Sequence, residues 1–188
     1  MRMKRILSIL LIVLALCALS SCSGNGEVPK GMKLASNTEV VDYSLFVPES
    51  WIVDASNGKT MAHVSETDFS NVSVAQWNLT KELSSFDAWW EDYKEQLNDI
   101  NKITPNIFKM TVVTEGEKTV VDGKASSKYI YYGTFNGTKF TFMVVATIRN
   151  GSMYVITYMS IGEVDDENSL FAKNLETVNS IIENFRFN

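Results

Sequence analysis

The sequence predicts one α+β domain in which a twisted antiparallel β-sheet packs against helices. In the C-terminal half, three dipeptides typical of tight hairpin turns separate strand-like runs: Asp122-Gly123, Asn136-Gly137 and Asn150-Gly151. One segment with apolar residues at helical spacing precedes these runs, and another follows them. The 188 residues, 45% of them hydrophobic and 11% aromatic, are enough for one such domain with a packed core.

The strands are predicted from β-branched and aromatic runs. Val40 to Val47 reads as a strand that stops at Pro48, and Met61 to Ser65 as a short one. Val72 to Leu79 alternates, with Val72, Val74, Gln76 and Asn78 on one side and Ser73, Ala75, Trp77 and Leu79 on the other. From Phe108 to Gly162 we expect a four-stranded meander. Its run KFTFMVVATI is apolar on both faces, which predicts a central strand covered on both sides.

Two amphipathic helices are predicted. The first follows the capping pair Ser84-Ser85 and buries Phe86, Trp90, Tyr93, Leu97 and Ile100. The second begins with Asp165-Asp166-Glu167, where acids favour the helix dipole, and buries Phe171, Leu175, Val178, Ile182 and Phe185. After it, Phe185-Arg186-Phe187 is expected to leave the helix and run along the sheet.

The first 21 residues are typical of a secretory signal that is removed on export. A positive head ending at Arg5 precedes an apolar stretch, Ile6 to Leu19, that only Ser8 interrupts. This stretch is shorter than the roughly 20 residues that a membrane-spanning helix needs. We therefore expect a cleaved signal and not a permanent transmembrane helix.

The residues Leu19-Ser20-Ser21-Cys22 resemble the lipobox of bacterial lipoproteins. That resemblance implies that the Cys22 thiol receives a diacylglyceryl group and that cleavage separates Ser21 from Cys22. The mature protein would then be lipid-anchored on the extracytoplasmic face of the cell membrane, or of the outer membrane if the cell has one. The alternative is an ordinary signal peptide with a chance cysteine.

Residues 22–39 have the small, polar composition of a flexible tether, so the single folded domain is expected at 40–188. The net charge of −5 becomes −8 once Arg2, Lys4 and Arg5, the only charged residues of the first 22, are removed. Phosphates and anionic headgroups repel such an acidic body. We therefore exclude nucleic acid as a partner, and expect membrane contact through the lipid and not through the surface of the domain.

The sequence offers little for catalysis. Both cysteines, Cys17 and Cys22, lie in or at the end of the export segment, so no thiol is left for a disulfide, a zinc site or a nucleophile. His63, the only histidine, reads as a partly buried strand residue, and no nucleophile-elbow or phosphate-loop motif is present. We assign no catalytic, cofactor-binding or metal-binding residue and expect a protein that is not an enzyme.

Trp89 is the candidate for a partner-binding residue. It lies about 100° around the first helix from Trp90, at the edge of the apolar stripe. Trp89 is therefore either a core residue or an exposed aromatic anchor of the kind that dominates protein interfaces. Five tyrosines of the meander have the same two interpretations, with packing on the sheet favoured: Tyr129, Tyr131, Tyr132, Tyr154 and Tyr158.

The order of elements from residue 40 to 187 resembles the PsbP/Mog1-like family, in which an antiparallel sheet lies between helices. The opening strand runs into a Pro-x-x-Trp motif, Pro48 to Trp51, and the chain closes with paired strands, a helix and the tail Asn184-Phe185-Arg186-Phe187. The resemblance implies accessory or binding roles, such as stabilising a membrane-bound photosynthetic complex or binding a small GTPase. It implies no shared activity.

These observations together predict a lipid-anchored, non-catalytic accessory protein that binds a protein partner at the cell envelope. One alternative is a lipoprotein that binds a small ligand in an aromatic pocket between sheet and helix. A hydrolase of envelope material is least favoured, because no pair of carboxylates stands out in the sequence.

Overall fold

The computed structural model describes residues 27–54, 60–103, 108–135 and 137–188, with the backbone alone at 100–103 and 108. The predicted signal, the cleavage site at Ser21, the lipidation site at Cys22 and the side chain of Ile100 lie outside this description.

The main sheet has seven antiparallel strands in the order β4-β5-β6-β10-β9-β8-β7, and two short pairs, β1 with β3 and β2 with β11, lie beside it. Along the chain the elements are β1 Met32–Leu34, β2 Tyr43–Ser44, β3 Phe46–Pro48, β4 Ile52–Asp54, β5 Thr60–His63, β6 Asn71–Asn78, α1 Phe86–Ile103, β7 Phe108–Val121, β8 Lys124–Phe135, β9 Thr138–Arg149, β10 Ser152–Ile161, α2 Leu170–Asn184 and β11 Arg186–Phe187.

The predicted meander is confirmed. Strands β7 to β10 pair in sequence order through hairpins. Asp122 and Gly123 have φ of 46° and 70°, and Asn150 and Gly151 have 52° and 78°. Positive φ at both central residues is what a type I′ turn requires, and Asx-Gly adopts it most easily.

Each face of the sheet carries its own apolar core, and a helix covers each. On one face, α2 and the N-terminal strands cover a cluster that includes Met143 and Val145. On the other, α1 covers a cluster that includes Val144 and Ala146. Because these four successive residues of β9 are all buried, the prediction of a central strand covered on both sides is confirmed.

The predicted start of the second helix is wrong by about four residues. Helix α2 begins at Leu170, and the Ser169 side chain caps it by accepting a hydrogen bond from the Ala172 N–H at 3.0 Å. Asp165, Asp166 and Glu167 lie in the preceding turn, where an Asp166 oxygen accepts from the Asn168 N–H. Both an acidic run and a serine favour a helix start, and here the serine provides the cap.

The N-terminal segment is more ordered than its composition predicts. β1 pairs with β3, and Ala35 and Ser36 are buried, so structure begins before residue 40. The strand predicted at Val40 to Val47 is divided into β2 and β3. The tail leaves α2 as expected, but β11 pairs with β2 and not with the main sheet.

Burial raises the pKa of six tyrosines: Tyr43, Tyr93, Tyr129, Tyr131, Tyr154 and Tyr158. For Tyr154 the pKa rises to about 12 through desolvation and then through its hydrogen bond to Asp42, and for Tyr158 to about 12 mainly through desolvation. A raised folded-state pKa stabilises the protein below the unfolded value of 10.0.

We therefore expect stability against urea to be lost as pH rises from about 10 to about 12. Phenolate absorbance should rise together with unfolding, because the buried hydroxyls ionise readily only in the open chain. Titration of most of the tyrosines near pH 10 in a protein that stays folded would contradict this expectation.

Candidate functional site

Trp89 is buried, with 5% of its surface exposed, so the hypothesis of an exposed anchor at this residue is wrong and the core alternative is correct. Its ring stacks on Tyr93 at 5.2 Å between centroids and lies 5.9 Å from the ring of Tyr129. Helix α1 packs closely enough on the sheet to bury both Trp89 and Trp90. The buried face of the helix is therefore wider than the spacing of its apolar residues predicts.

A charged bridge ties α1 to strand β7. The Trp90 indole N–H donates to a carboxylate oxygen of Glu115, and the Lys94 ammonium donates to the same oxygen at 2.8 Å. Lys94 also donates to Glu91 at 2.7 Å. The hydrogen bond from Lys94 is the main reason that the pKa of Glu115 is lowered. These groups hold the helix on the sheet, so we assign them a structural role.

The exposed aromatic residue in this region is Trp77, with 43% of its surface accessible. It lies next to the end of β6, on the face that α1 covers, and its ring is 6.3 Å from that of Trp89. Ser73 and Ala75 precede it on the same face of the strand. Trp77 therefore packs against the core on one side and is open to solvent on the other.

Among the described residues, the part of β6 next to Trp77 has a strand partner on one side only. β5 pairs with β6 from Asn71 to Val74, and among the described residues no strand continues this pairing toward Asn78. Backbone groups alternate in direction along a strand. Because the Leu79 N–H donates to Gly151 on the β10 side, the N–H and C=O of Gln76 and Asn78 point to the open side.

A groove of about 560 Å³ runs along this edge, and we call it the Trp77 groove. Its walls include Val40, Val41, Tyr43, Thr60, Met61 and Trp77. Val40 is 63% exposed, so the rim is apolar on the side opposite Trp77 as well. The volume lies within the roughly 300–1,000 Å³ of typical ligand-binding clefts.

The floor of the Trp77 groove is held by a polar network. The Gln76 amide donates to the Tyr154 hydroxyl at 3.1 Å, and that hydroxyl donates to Asp42 at 2.6 Å. Arg149 pairs with Asp42 at 3.6 Å. The Tyr43 hydroxyl donates to Thr60 at 3.0 Å. This network fixes the segment before β2 against the sheet, so one wall of the groove has a defined position.

The cavity between the sheet and α1 is small. It has about 120 Å³ and is lined by Trp77, Leu79, Trp89 and Tyr93 among others. A drug-sized ligand needs roughly 300 Å³ or more. The aromatic pocket predicted between sheet and helix is therefore too small here for such a ligand, and the larger space lies at the open edge.

His63 is half-buried in β5, and its ring lies 6.4 Å from that of Phe69. Within residues 27–54, 60–103, 108–135 and 137–188, no group of three or more His, Cys, Asp or Glu could hold a metal ion. Over the same ranges, every helix is too short or too polar to cross a bilayer.

Trp77 is the site residue that sequence reasoning missed. The alternating pattern placed it on one face with Ser73 and Ala75, and a large aromatic residue beside small neighbours at a strand end was the available signal. Its exposure could not be predicted, because it depends on where the pairing partner of β6 stops.

No family model matches the chain, and no curated protein matches it in sequence. Solved structures do. The solution structure of cyanobacterial PsbP (CyanoP) from Synechocystis sp. PCC 6803 aligns with a TM-score of 0.59 at 13% identity, covering 91% of this chain and 99% of that one. The protein Mog1 aligns with a TM-score of 0.57 at 12% identity, covering 83% and 95%.

At these identities the likeness concerns the fold alone. It agrees with the seven-stranded antiparallel sheet and its two covering helices. The protein has a PsbP/Mog1-like α+β fold.

Proposed function

We propose that the protein is a lipid-anchored, non-catalytic accessory protein that binds a protein partner on the extracytoplasmic side of a membrane. The observation that carries the proposal is Trp77, which is 43% exposed beside a groove of about 560 Å³. The lipobox resemblance at Cys22 supports the location, and a fold shared with accessory and binding proteins supports the role.

The Trp77 groove suits an extended segment of polypeptide, because no strand of the described residues pairs with Gln76 to Asn78 on this side. A bound strand could pair with the backbone groups of Gln76 and Asn78, as in other cases where a peptide extends a sheet. Trp77 would supply the large, partly desolvated contact from which most interface energy usually comes. The backbone pairing would not depend on the sequence of the partner, whereas the contact with Trp77 would depend on the partner's side chains.

Charge restricts the partner further. The chain after Cys22 carries a net charge of −8, whereas Asp42 below the groove is paired with Arg149. An acidic segment would therefore be repelled by the protein as a whole, whereas a neutral or basic one would not. We therefore expect an extended partner segment that is apolar in part and carries no excess of negative charge.

Trp77→Ala is expected to weaken partner capture by at least about tenfold, since truncating a central aromatic contact commonly costs 2 kcal/mol or more. Stability should change little, because much of the side chain is already exposed. The measurement is crosslinking in living cells followed by co-purification, with urea unfolding of the same variants.

Val113→Ala is the control, because Val113 is also apolar and 44% exposed but lies on β7, at the opposite edge of the sheet from the groove. Equal partner capture by the Trp77→Ala variant and the parent protein would show that the partner does not bind at the Trp77 groove.

The location is tested separately with Cys22→Ala. Loss of labelled fatty acid and release from the membrane fraction are expected, with the same unfolding curve. Retention of the variant in the membrane fraction would contradict anchoring through this cysteine.

The volume of the Trp77 groove also allows a small ligand, which is the second candidate function. A ligand raises the melting temperature in proportion to its occupancy of the folded state. A small molecule that does so in the parent protein but not in the Trp77→Ala variant would favour this candidate over a protein partner.

A further inference from the structure

Exposed apolar side chains also gather at the end of the sheet opposite Trp77. The register Ile52–His63–Asn71–Met159 defines this end, which lies about 20 Å from Trp77 at roughly 3.4 Å per residue of β6. The side chains there that are more than a third exposed include Ile52 (37%), Phe69 (69%), Phe135 (45%) and Ile161 (47%). We call this surface the Phe69 end.

Phe69 is held outward by a well-bonded loop between β5 and β6. The Val64 N–H donates to the Ser70 C=O at 3.0 Å, and the Ser65 N–H donates to the Asp68 C=O at 3.1 Å. The Ser70 and Ser160 hydroxyls, 2.7 Å apart, tie the loop to β10. Because the loop is fixed at both ends, the Phe69 side chain is held in solvent in a defined direction. Packing in the core does not explain why an apolar side chain is held there.

The chain enters the domain at this same end. Met32 pairs with Pro48, and the Glu49 N–H donates to the Gly31 C=O at 3.1 Å, three residues before β4 begins. The nine residue steps from Cys22 to Gly31 span at most about 32 Å when fully extended. A lipid on Cys22 would therefore attach the domain to the bilayer through the Phe69 end.

The acidic groups of the Phe69 end are partly neutralised. Asp68 accepts hydrogen bonds from the Ser70 N–H and from the Asn174 amide, and Lys139 pairs with Glu163 at 2.5 Å. Glu66, Asp165, Asp166 and Glu167 remain exposed beside them. Contact with lipid would thus depend on apolar insertion and would be weaker on anionic headgroups.

We propose that the Phe69 end is a membrane-contact surface, with Phe69 and Ile161 seated in the interfacial layer of a neutral lipid bilayer. The inference rests on the proposed anchoring through Cys22, which makes the contact intramolecular, so that a few weakly binding side chains are enough to orient the domain. It replaces the expectation, drawn from net charge, that the lipid alone meets the membrane. The Trp77 groove then faces away from the bilayer.

The test uses the full lipidated protein in phosphatidylcholine vesicles, with an environment-sensitive fluorophore on a single introduced thiol. Phe69→Cys reports on the proposed contact and Trp77→Cys on the opposite end, both residues being aromatic and exposed. Flotation with the vesicles tests the anchor, and quenching by nitroxide-labelled lipids tests the contact. We expect a blue shift and several-fold stronger quenching at position 69 than at position 77, both reduced when anionic lipid is added.

Protein that does not float with the vesicles would refute the anchor, and the contact with it. Protein that floats but is quenched equally at both positions would refute the oriented contact while the anchor stands. A label at position 69 that a co-purified membrane protein shields, without lipid quenching, would assign this end to a protein and overturn the proposal. Because Phe69 is mostly exposed, unchanged urea unfolding of the Phe69→Cys variant shows that the fold is intact.

Discussion

The Trp89→Ala variant is expected to lose about 3–5 kcal/mol of unfolding free energy, as large-to-small changes at buried aromatic positions usually do. Trp89 is 5% exposed, and four aromatic rings, those of Trp77, Trp90, Tyr93 and Tyr129, lie within 6.3 Å of its ring. Removing the indole leaves a cavity between α1 and the sheet that these neighbours fill only in part. The measurement is urea unfolding followed by far-UV circular dichroism, which does not depend on tryptophan emission.

Two variants make this result specific. Trp89→Phe keeps most of the apolar volume and should recover much of the loss, whereas Trp77→Ala, at an exposed position, should cost about 1 kcal/mol or less. A loss below about 1 kcal/mol for Trp89→Ala would show that Trp89 lies outside the core. Because Trp77 rests against Trp89, the Trp89→Ala variant should also bind the proposed partner less well, and that effect must be measured below the unfolding midpoint.

The meander and both helices could be predicted because local chemistry determines them. Asp-Gly and Asn-Gly fit the positive φ of the hairpin turns. The β9 segment is apolar on both sides, which predicts that both of its faces are covered. The PsbP/Mog1-like resemblance rested on the same patterns, and the fold confirms it.

Three features could not be predicted, because each depends on contacts distant in sequence. The burial of Trp89 depends on how close α1 lies to Tyr129, and the exposure of Trp77 on where β5 stops pairing. Order before residue 40 depends on β1 finding β3. The periodicity of apolar residues identifies a single helix or strand and carries no information on the contacts between two such elements.

The chain therefore has two surfaces with different physical character at opposite ends of one strand. Trp77 lies at a groove of about 560 Å³ with a polar network in its floor, features that suit a polypeptide. Phe69 lies at the end where the chain enters, among apolar side chains that line a cavity of only about 30 Å³, too small for a polypeptide. In the proposed arrangement, the sheet between them would set the height of the Trp77 groove above the membrane.

Gly162 links the sheet to the helix that closes the first core, and Gly162→Ala is expected to cost about 2–4 kcal/mol. Its φ is +109°, a conformation that residues with a Cβ adopt only under strain of about 1–3 kcal/mol. An added Cβ would lie 2.4 Å from the Cβ of Ser169, whose hydroxyl caps α2. Moving Ser169 aside would lose that cap, a further cost of about 1 kcal/mol.

Gly151→Ala separates these two causes. Gly151 has φ +78° in the β9–β10 turn, but an added Cβ there meets no atom within 4 Å, so only the backbone strain of about 1–2 kcal/mol applies. Urea unfolding should therefore show a clearly larger loss for Gly162→Ala than for Gly151→Ala. A Ser169→Ala change should add little to Gly162→Ala, because the cap is already broken, whereas it should cost about 1 kcal/mol in the parent protein. Equal losses for the two glycine variants would mean that the loop moves away from Ser169 without disturbing α2, and the cap would then not depend on Gly162.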